Sequence, residues 1–234
     1  MKAALLSEFA LTKKILVQIA LVYVIVEVAV SYGLESAVAG AASVAALLPF
    51  ILLVTMFSYD DMNGWMRYRA MLPATRDDIV TARYLNIAAL SLLGAVAAIV
   101  VAGAIAAITP LLGLPADLAG NIASGFAADA LAASTLMGAS AVSIVAAVIM
   151  PLGLRFGLTK TMRYLPVALF LVIILATNLP FSIPGLDGLF ASADAWLERP
   201  GNLSLAGAAS VVAAAIALAI SCAVARVLFR SREL

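Results

Sequence analysis

The chain has 234 residues, of which 65% are hydrophobic and only 12% charged, with a net charge of +1 and a mean hydropathy of +1.14. Soluble domains carry about 25% charged residues, so the composition excludes an ordinary soluble domain and indicates an integral membrane protein. There is no His and a single Cys, Cys222, in an apolar run. That excludes histidine-containing metal sites, histidine-based catalysis and an internal disulfide, and leaves Cys222 as an inert membrane thiol.

In chain order, residues 1–14 pattern as an amphipathic interfacial helix. Leu5, Leu6, Phe9 and Ala10 fall at helical spacing, with Lys2, Glu8 and Lys13 on the rest of the cylinder. Six apolar spans follow, at 15–32, 38–57, 84–108, 126–152, 165–181 and 205–225. Each is near the ~20 residues that cross ~30 Å of hydrocarbon. Each must be helical, because an unpaired backbone group in lipid costs several kcal/mol. The first span is too long for a signal-peptide core and no Ala-x-Ala site follows it, so it is expected to remain as an anchor. Pro49 and Pro151 are possible hinges within spans two and four. Asn178, Pro180 and Pro184 break the end of span five. The link that follows holds Leu189, Phe190, Trp196 and Leu197, an amphipathic piece suited to the interface. The expected architecture is a single all-α membrane domain over residues 1–234.

The basic residues orient it. Lys2, Lys13 and Lys14 precede span one, and Arg67, Arg69, Arg76 and Arg83 lie between spans two and three. Arg155, Lys160 and Arg163 lie between four and five, and Arg226, Arg230 and Arg232 follow span six. Only Arg199 lies on the opposite side. The positive-inside rule then puts both termini in the cytoplasm. Acids dominate the other side: Glu27, Glu35, Asp117, Asp129, Asp187, Asp194 and Glu198. Outer acids of this kind could attract a cationic substrate through their field.

The one long polar passage joins spans two and three. Met62, Trp65, Met66, Arg69 and Leu72 recur at three-to-four spacing, which predicts a short amphipathic helix. Such a helix lies on the membrane surface, docks a soluble partner, or does both with different faces. Pro73 ends it. Thr75-x-x-Asp78 then reads as a capping box, with Asp77 and Asp78 in a first turn that favours negative charge. A helix over residues 76–108 would be ~50 Å long and would project from the membrane by about two turns. Small-residue stripes at Gly94, Ala98, Ala102 and Ala106, at Ala139, Ser143 and Ala147, and at Ala206, Ser210 and Ala214 permit close helix contact.

Tyr59-Asp60-Asp61-Met62-Asn63-Gly64-Trp65-x-x-Tyr68, then Leu72-Pro73-Ala74-Thr75-Arg76 and Ile79-Val80-x-Ala82-Arg83-Tyr84-Leu85, resembles the permease subunits of type-2 ATP-binding-cassette (ABC) exporters. A second block fits too: Pro151-Leu152-Gly153-Leu154-Arg155-Phe156-Gly157 with Lys160 and Arg163-Tyr164-Leu165. The first residues are similar to the family's interfacial elbow, although Ser7-Glu8 stands where a Lys-Asp pair is common.

The resemblance implies a permease that pairs with a second copy or a paralogue in a bacterial-type plasma membrane, and that engages a separate cytoplasmic ABC ATPase. Asp60, Asp61, Trp65, Arg67 and Tyr68 would dock that ATPase through a coupling helix. Leu72, Pro73 and Arg76 would shape the elbow into span three. ATP and Mg would bind the partner, since no Gly-x-x-x-x-Gly-Lys-Ser/Thr run exists here. No cofactor, metal, catalytic group or nucleic-acid partner is expected of this chain.

Glu27 is the one acid clearly within a span, and such a carboxylate is a candidate for the substrate path. It lies about six residues, or ~9 Å, from the end of its span and could instead reach the headgroups. Asp129, one turn into span four, is the second candidate, with a simple helix-start acid as its plainer reading. The alternative function is a stand-alone secondary transporter or channel. Such a protein would carry polar midplane sites and repeat symmetry, whereas the midplane here is nearly all Ala, Val, Leu and Ile.

Overall fold

The computed structural model describes residues 2–62, 75–113, 115–124, 127–156, 186–197, 199 and 201–230, and among these every regular element is helical. They are α1 (Lys2–Gly33), α2 (Ala37–Met62), α3 (Arg76–Ile108) with a 3₁₀ turn at Thr109–Leu112, α4 (Ala116–Ser124), α5 (Ala128–Phe156), α6 (Leu186–Leu197) and α7 (Asn202–Arg230). Five of them, α1, α2, α3, α5 and α7, are long and apolar enough to cross a membrane. They coincide with five of the six expected spans. The expected span at 165–181 lies outside the described residues.

The expected boundary near residue 14 does not appear: α1 runs unbroken for 32 residues. No Gly or Pro interrupts the sequence from Lys2 to Tyr32, so nothing stops the helix. Its early polar side chains, Glu8 and Thr12, are buried against protein. At its far end Glu35 adopts φ 52, and Ser36 Oγ accepts from the Ala39 N–H to start α2.

The start of α3 is as the sequence predicts. Thr75 Oγ1 accepts from the Asp78 N–H at 3.1 Å, and Asp78 Oδ2 accepts from the Thr75 N–H at 3.3 Å. The capping box is therefore closed in both directions. Thr75→Ala is expected to lower stability by about 1 kcal/mol, read as a lower melting temperature of the detergent-solubilised chain. Serine at this position should keep most of it.

Side-chain contacts fix the direction of each long helix. Tyr23 of α1 meets Gly94 of α3, and Tyr32 meets Thr109, so α1 and α3 run parallel. Gly138 of α5 lies on Ala42 of α2, and Gly153 lies under the Phe57 ring, so α2 and α5 are parallel too. Gly207 of α7 packs on Ala133, and Ser221 Oγ donates to the Ala147 carbonyl, giving α7 the direction of α5. Tyr84–Ser221 and Thr81–Arg226 contacts place α7 antiparallel to α3. Lys2, Lys13, Arg76, Arg83, Arg155 and Arg226 consequently share one end of the bundle, and Glu35, Asp117 and Asp129 the other.

Small residues allow these approaches. A Cβ on Gly138 would stand 2.5 Å from the Ala42 carbonyl oxygen, which is backbone and cannot rotate away. Gly138→Val is expected to cost about 1–3 kcal/mol by forcing α2 and α5 apart. Thermal unfolding in detergent measures this, with Gly120→Val, where a Cβ meets open space, as the control for side-chain effects.

The core divides in two. One cluster at the basic end packs Met56, Phe57, Tyr84, Met150, Leu154 and Phe229, and the other packs the α1–α2–α3 seam around Ala41, Leu48, Ala98 and Ala102. Outward, large apolar side chains such as Leu21, Val100 and Ile220 are more than 60% exposed. In water such a belt would drive aggregation, while lipid solvates it. The chain is a multi-pass membrane protein.

Candidate functional site

The polar groups of the basic end converge on the first three turns of α3. Arg83 is fully buried, yet its Nε donates to Glu8 Oε1 of α1 at 3.3 Å and its guanidinium lies 5.4 Å from the centroid of the Phe57 ring of α2. A buried charge is tolerable only when paired, and the ring face adds about 0.5–2 kcal/mol of cation–π attraction. One turn further on, Asn86 Nδ2 donates to Thr12 Oγ1 at 2.9 Å, and Thr12 itself donates to the Glu8 carbonyl. A relay of polar contacts thus zips α1 to α3.

The opposite side of α3 is tied to α7. Arg226 Nη2 donates to Thr81 Oγ1 at 2.8 Å. The Tyr84 hydroxyl lies 2.7 Å from Ser221 Oγ. Since the Ser221 proton goes to the Ala147 carbonyl, Tyr84 is the donor of that pair. Residues 76–86 therefore touch α1, α2 and α7 at once. This short stretch is where the polar passage of residues 63–74 enters the bundle. The end of α3 extends past the hydrocarbon, since 33 residues make ~50 Å against ~30 Å. Arg83 lies about 12 Å from the Thr75 cap, near the depth where a long cation can live.

The sequence-predicted residues fall into three groups. Asp60 and Asp61 occupy the last turn of α2, and Arg76 is the exposed first residue of α3. Trp65, Arg67, Tyr68, Leu72 and Pro73 lie outside the described residues. Asp129 is exposed in the first turn of α5, and Glu27 is fully buried on the α1 face toward α2 and α3. The headgroup-reaching alternative for Glu27 does not hold in this packing, because its face is turned inward.

Sequence reasoning missed Glu8, Thr12, Asn86 and Ser221. The available signal was a pair of polar residues one turn apart on each of two apolar helices: Glu8 with Thr12, and Arg83 with Asn86. Glu8 also marked a departure from the family's usual elbow, and its pairing with Arg83 gives that departure a structural role. Among the described residues no group of three His, Cys, Asp or Glu side chains gathers to hold a metal.

The chain matches, over residues 5–229, the family described as ABC-2 family transporter protein. No curated protein and no solved structure matches it.

Proposed function

Because the chain belongs to the ABC-2 family of transporter membrane proteins, we propose that it is the permease subunit of an ABC exporter driven by a separate cytoplasmic ATPase. The observation that carries this reading is the convergence on residues 76–86. A force applied to the passage at 63–74 enters α3 beside a capped, rigid first turn and meets α1, α2 and α7 through Glu8, Phe57 and Arg226. That is what a coupling element needs: a short lever joined to several spans at once, so that a small displacement is shared by the bundle.

Asp60, Asp61, Trp65, Arg67 and Tyr68 would dock the ATPase, with Leu72, Pro73 and Arg76 shaping the elbow. Both termini and this passage would face the cytoplasm, in keeping with the basic residues gathered at that end. The parallel course of α5 and α7 calls for an odd number of crossings between them, which supports a sixth span near 165–181. A second copy or a paralogue would complete the membrane unit. ATP and Mg would belong to the partner, and Glu27 and Asp129 would lie toward the outer half.

Reconstitution tests the reading. Proteoliposomes holding the chain and an ABC ATPase encoded in the neighbouring frame should hydrolyse ATP at a rate that depends on the permease. If the chain alone moves solutes without ATP, it is instead a secondary transporter or channel.

A further inference from the structure

The seam between α1 and α3 is a ladder of satisfied polar contacts with one gap. Glu8 pairs with Arg83, Thr12 with Asn86, Tyr23 donates to the Gly94 carbonyl at 2.8 Å, and Tyr32 donates at 2.9 Å to Thr109, whose own proton goes to the Ile105 carbonyl. Between the last two rungs lie Glu27 and Ser31, one turn apart and both 0% exposed. Neither Glu27 carboxyl oxygen nor Ser31 Oγ has a hydrogen-bond partner among the described residues. The facing elements come close through small residues: Gly40 of α2 abuts Ser31 Oγ, and the Ala102 backbone of α3 lies beside Glu27.

Among the described residues no cation stands near enough to neutralise a carboxylate. On α1 the nearest titratable groups are Tyr23 and Tyr32, whose hydroxyls are committed to α3. On α2 they are Tyr59, Asp60 and Asp61, at least 19 residues or ~28 Å of helix beyond Gly40. On α3, Arg76, Asp77, Asp78, Arg83 and Tyr84 lie at least 14 residues or ~21 Å before Ala98. Glu35 and Asp117, near α4, are exposed at the acidic end, and Glu35 accepts from Asn121.

An isolated ionised carboxylate in such a place costs more than a protein can supply, so the group binds a proton instead. A metal cation would need about six oxygens, and the site offers one carboxyl and one hydroxyl. Nor is there room for a larger ligand, because Gly40 of α2 packs directly against Ser31 Oγ and the Glu27 carbonyl. We propose that Glu27 is an intramembrane proton-binding site, loaded in this packed arrangement and discharged when α1 parts from α2 and α3. On loading, one carboxyl oxygen forms an O–H bond with a proton taken from water, and the neutral carboxyl is held in the apolar seam. On opening, the proton returns to water and the carboxylate is solvated.

Infrared difference spectroscopy of the full-length chain in lipid nanodiscs, wild type minus Glu27→Gln, tests the site. At about pH 7 an ordinary glutamate is protonated in only roughly one molecule in 500. The expected spectrum shows the carbonyl band of one full protonated carboxyl, at the high frequency of a carboxyl that no hydrogen bond lowers. Carboxylate bands alone would overturn the proposal. If Glu27→Gln does not fold, wild type carrying isotope-labelled glutamate gives the same reading: a labelled protonated-carboxyl band supports the site, and its absence at that pH overturns it.

Discussion

Replacing Arg83 with alanine is expected to destabilise the bundle by about 3–5 kcal/mol, because it leaves Glu8 as a buried charge without its α3 cation. The Phe57 ring loses its cation in the same step. The size of the effect comes from the charge left behind rather than from the worth of the pair. Glu8→Gln combined with Arg83→Gln should therefore be milder than Arg83→Ala, since neither remaining group is ionised. Arg83→Lys should recover only part, because an ammonium cannot reproduce the planar contact with both Glu8 and the ring. Denaturant or thermal unfolding of the purified chain in detergent measures all three. Equal losses for the single and double variants would show that the pair contributes packing and not charge compensation. Since α1 is held to α3 by this contact, Arg83→Ala should also loosen the first turns of α1, read as faster amide exchange over residues 2–14.

The second large effect is expected at the passage before α3. Trp65→Ala should weaken association with the ATPase at least about 30-fold, the size of a hot-spot aromatic worth 2 kcal/mol or more. Asp61→Arg reverses a charge at the same surface and should act on the rate of association and its salt dependence. Co-purification of the ATPase with each variant, followed by a titrated binding measurement, gives both values. If docking is their role, the variants should melt as wild type does. Wild-type affinity in both would remove the docking role from these residues.

Much of the fold was legible because single helices carry their own signals. Thr75-x-x-Asp78 announced the start of α3, and hydropathy gave each described span to within a few residues, save at the start of α3. That the described basic residues between the spans gather at one end of the bundle followed from counting Lys and Arg. What one helix cannot announce is which face meets which neighbour when nearly every side chain is apolar. The pairing of Glu8 with Arg83 joins residues 75 apart and depends on how two parallel helices settle against each other. Glu27 was visible as an intramembrane acid, but its inward direction comes from the Tyr23 and Tyr32 rungs on either side of it. The interfacial helix was expected to end near residue 14 because its polar residues suggested contact with water. Glu8 contacts α3 instead, Lys2 and Lys13 stay exposed, and the helix continues.

The central claim is that the passage at 63–74 is a cytoplasmic seat for an ATPase. Cys222 is the only cysteine and is buried, so Cys222→Ala combined with Ala70→Cys places one reactive thiol in that passage. A membrane-impermeant thiol reagent should label it in inside-out vesicles and not in right-side-out vesicles, and rebinding the ATPase should protect it. Labelling from the outer side, or labelling that the ATPase leaves unchanged, would contradict the account.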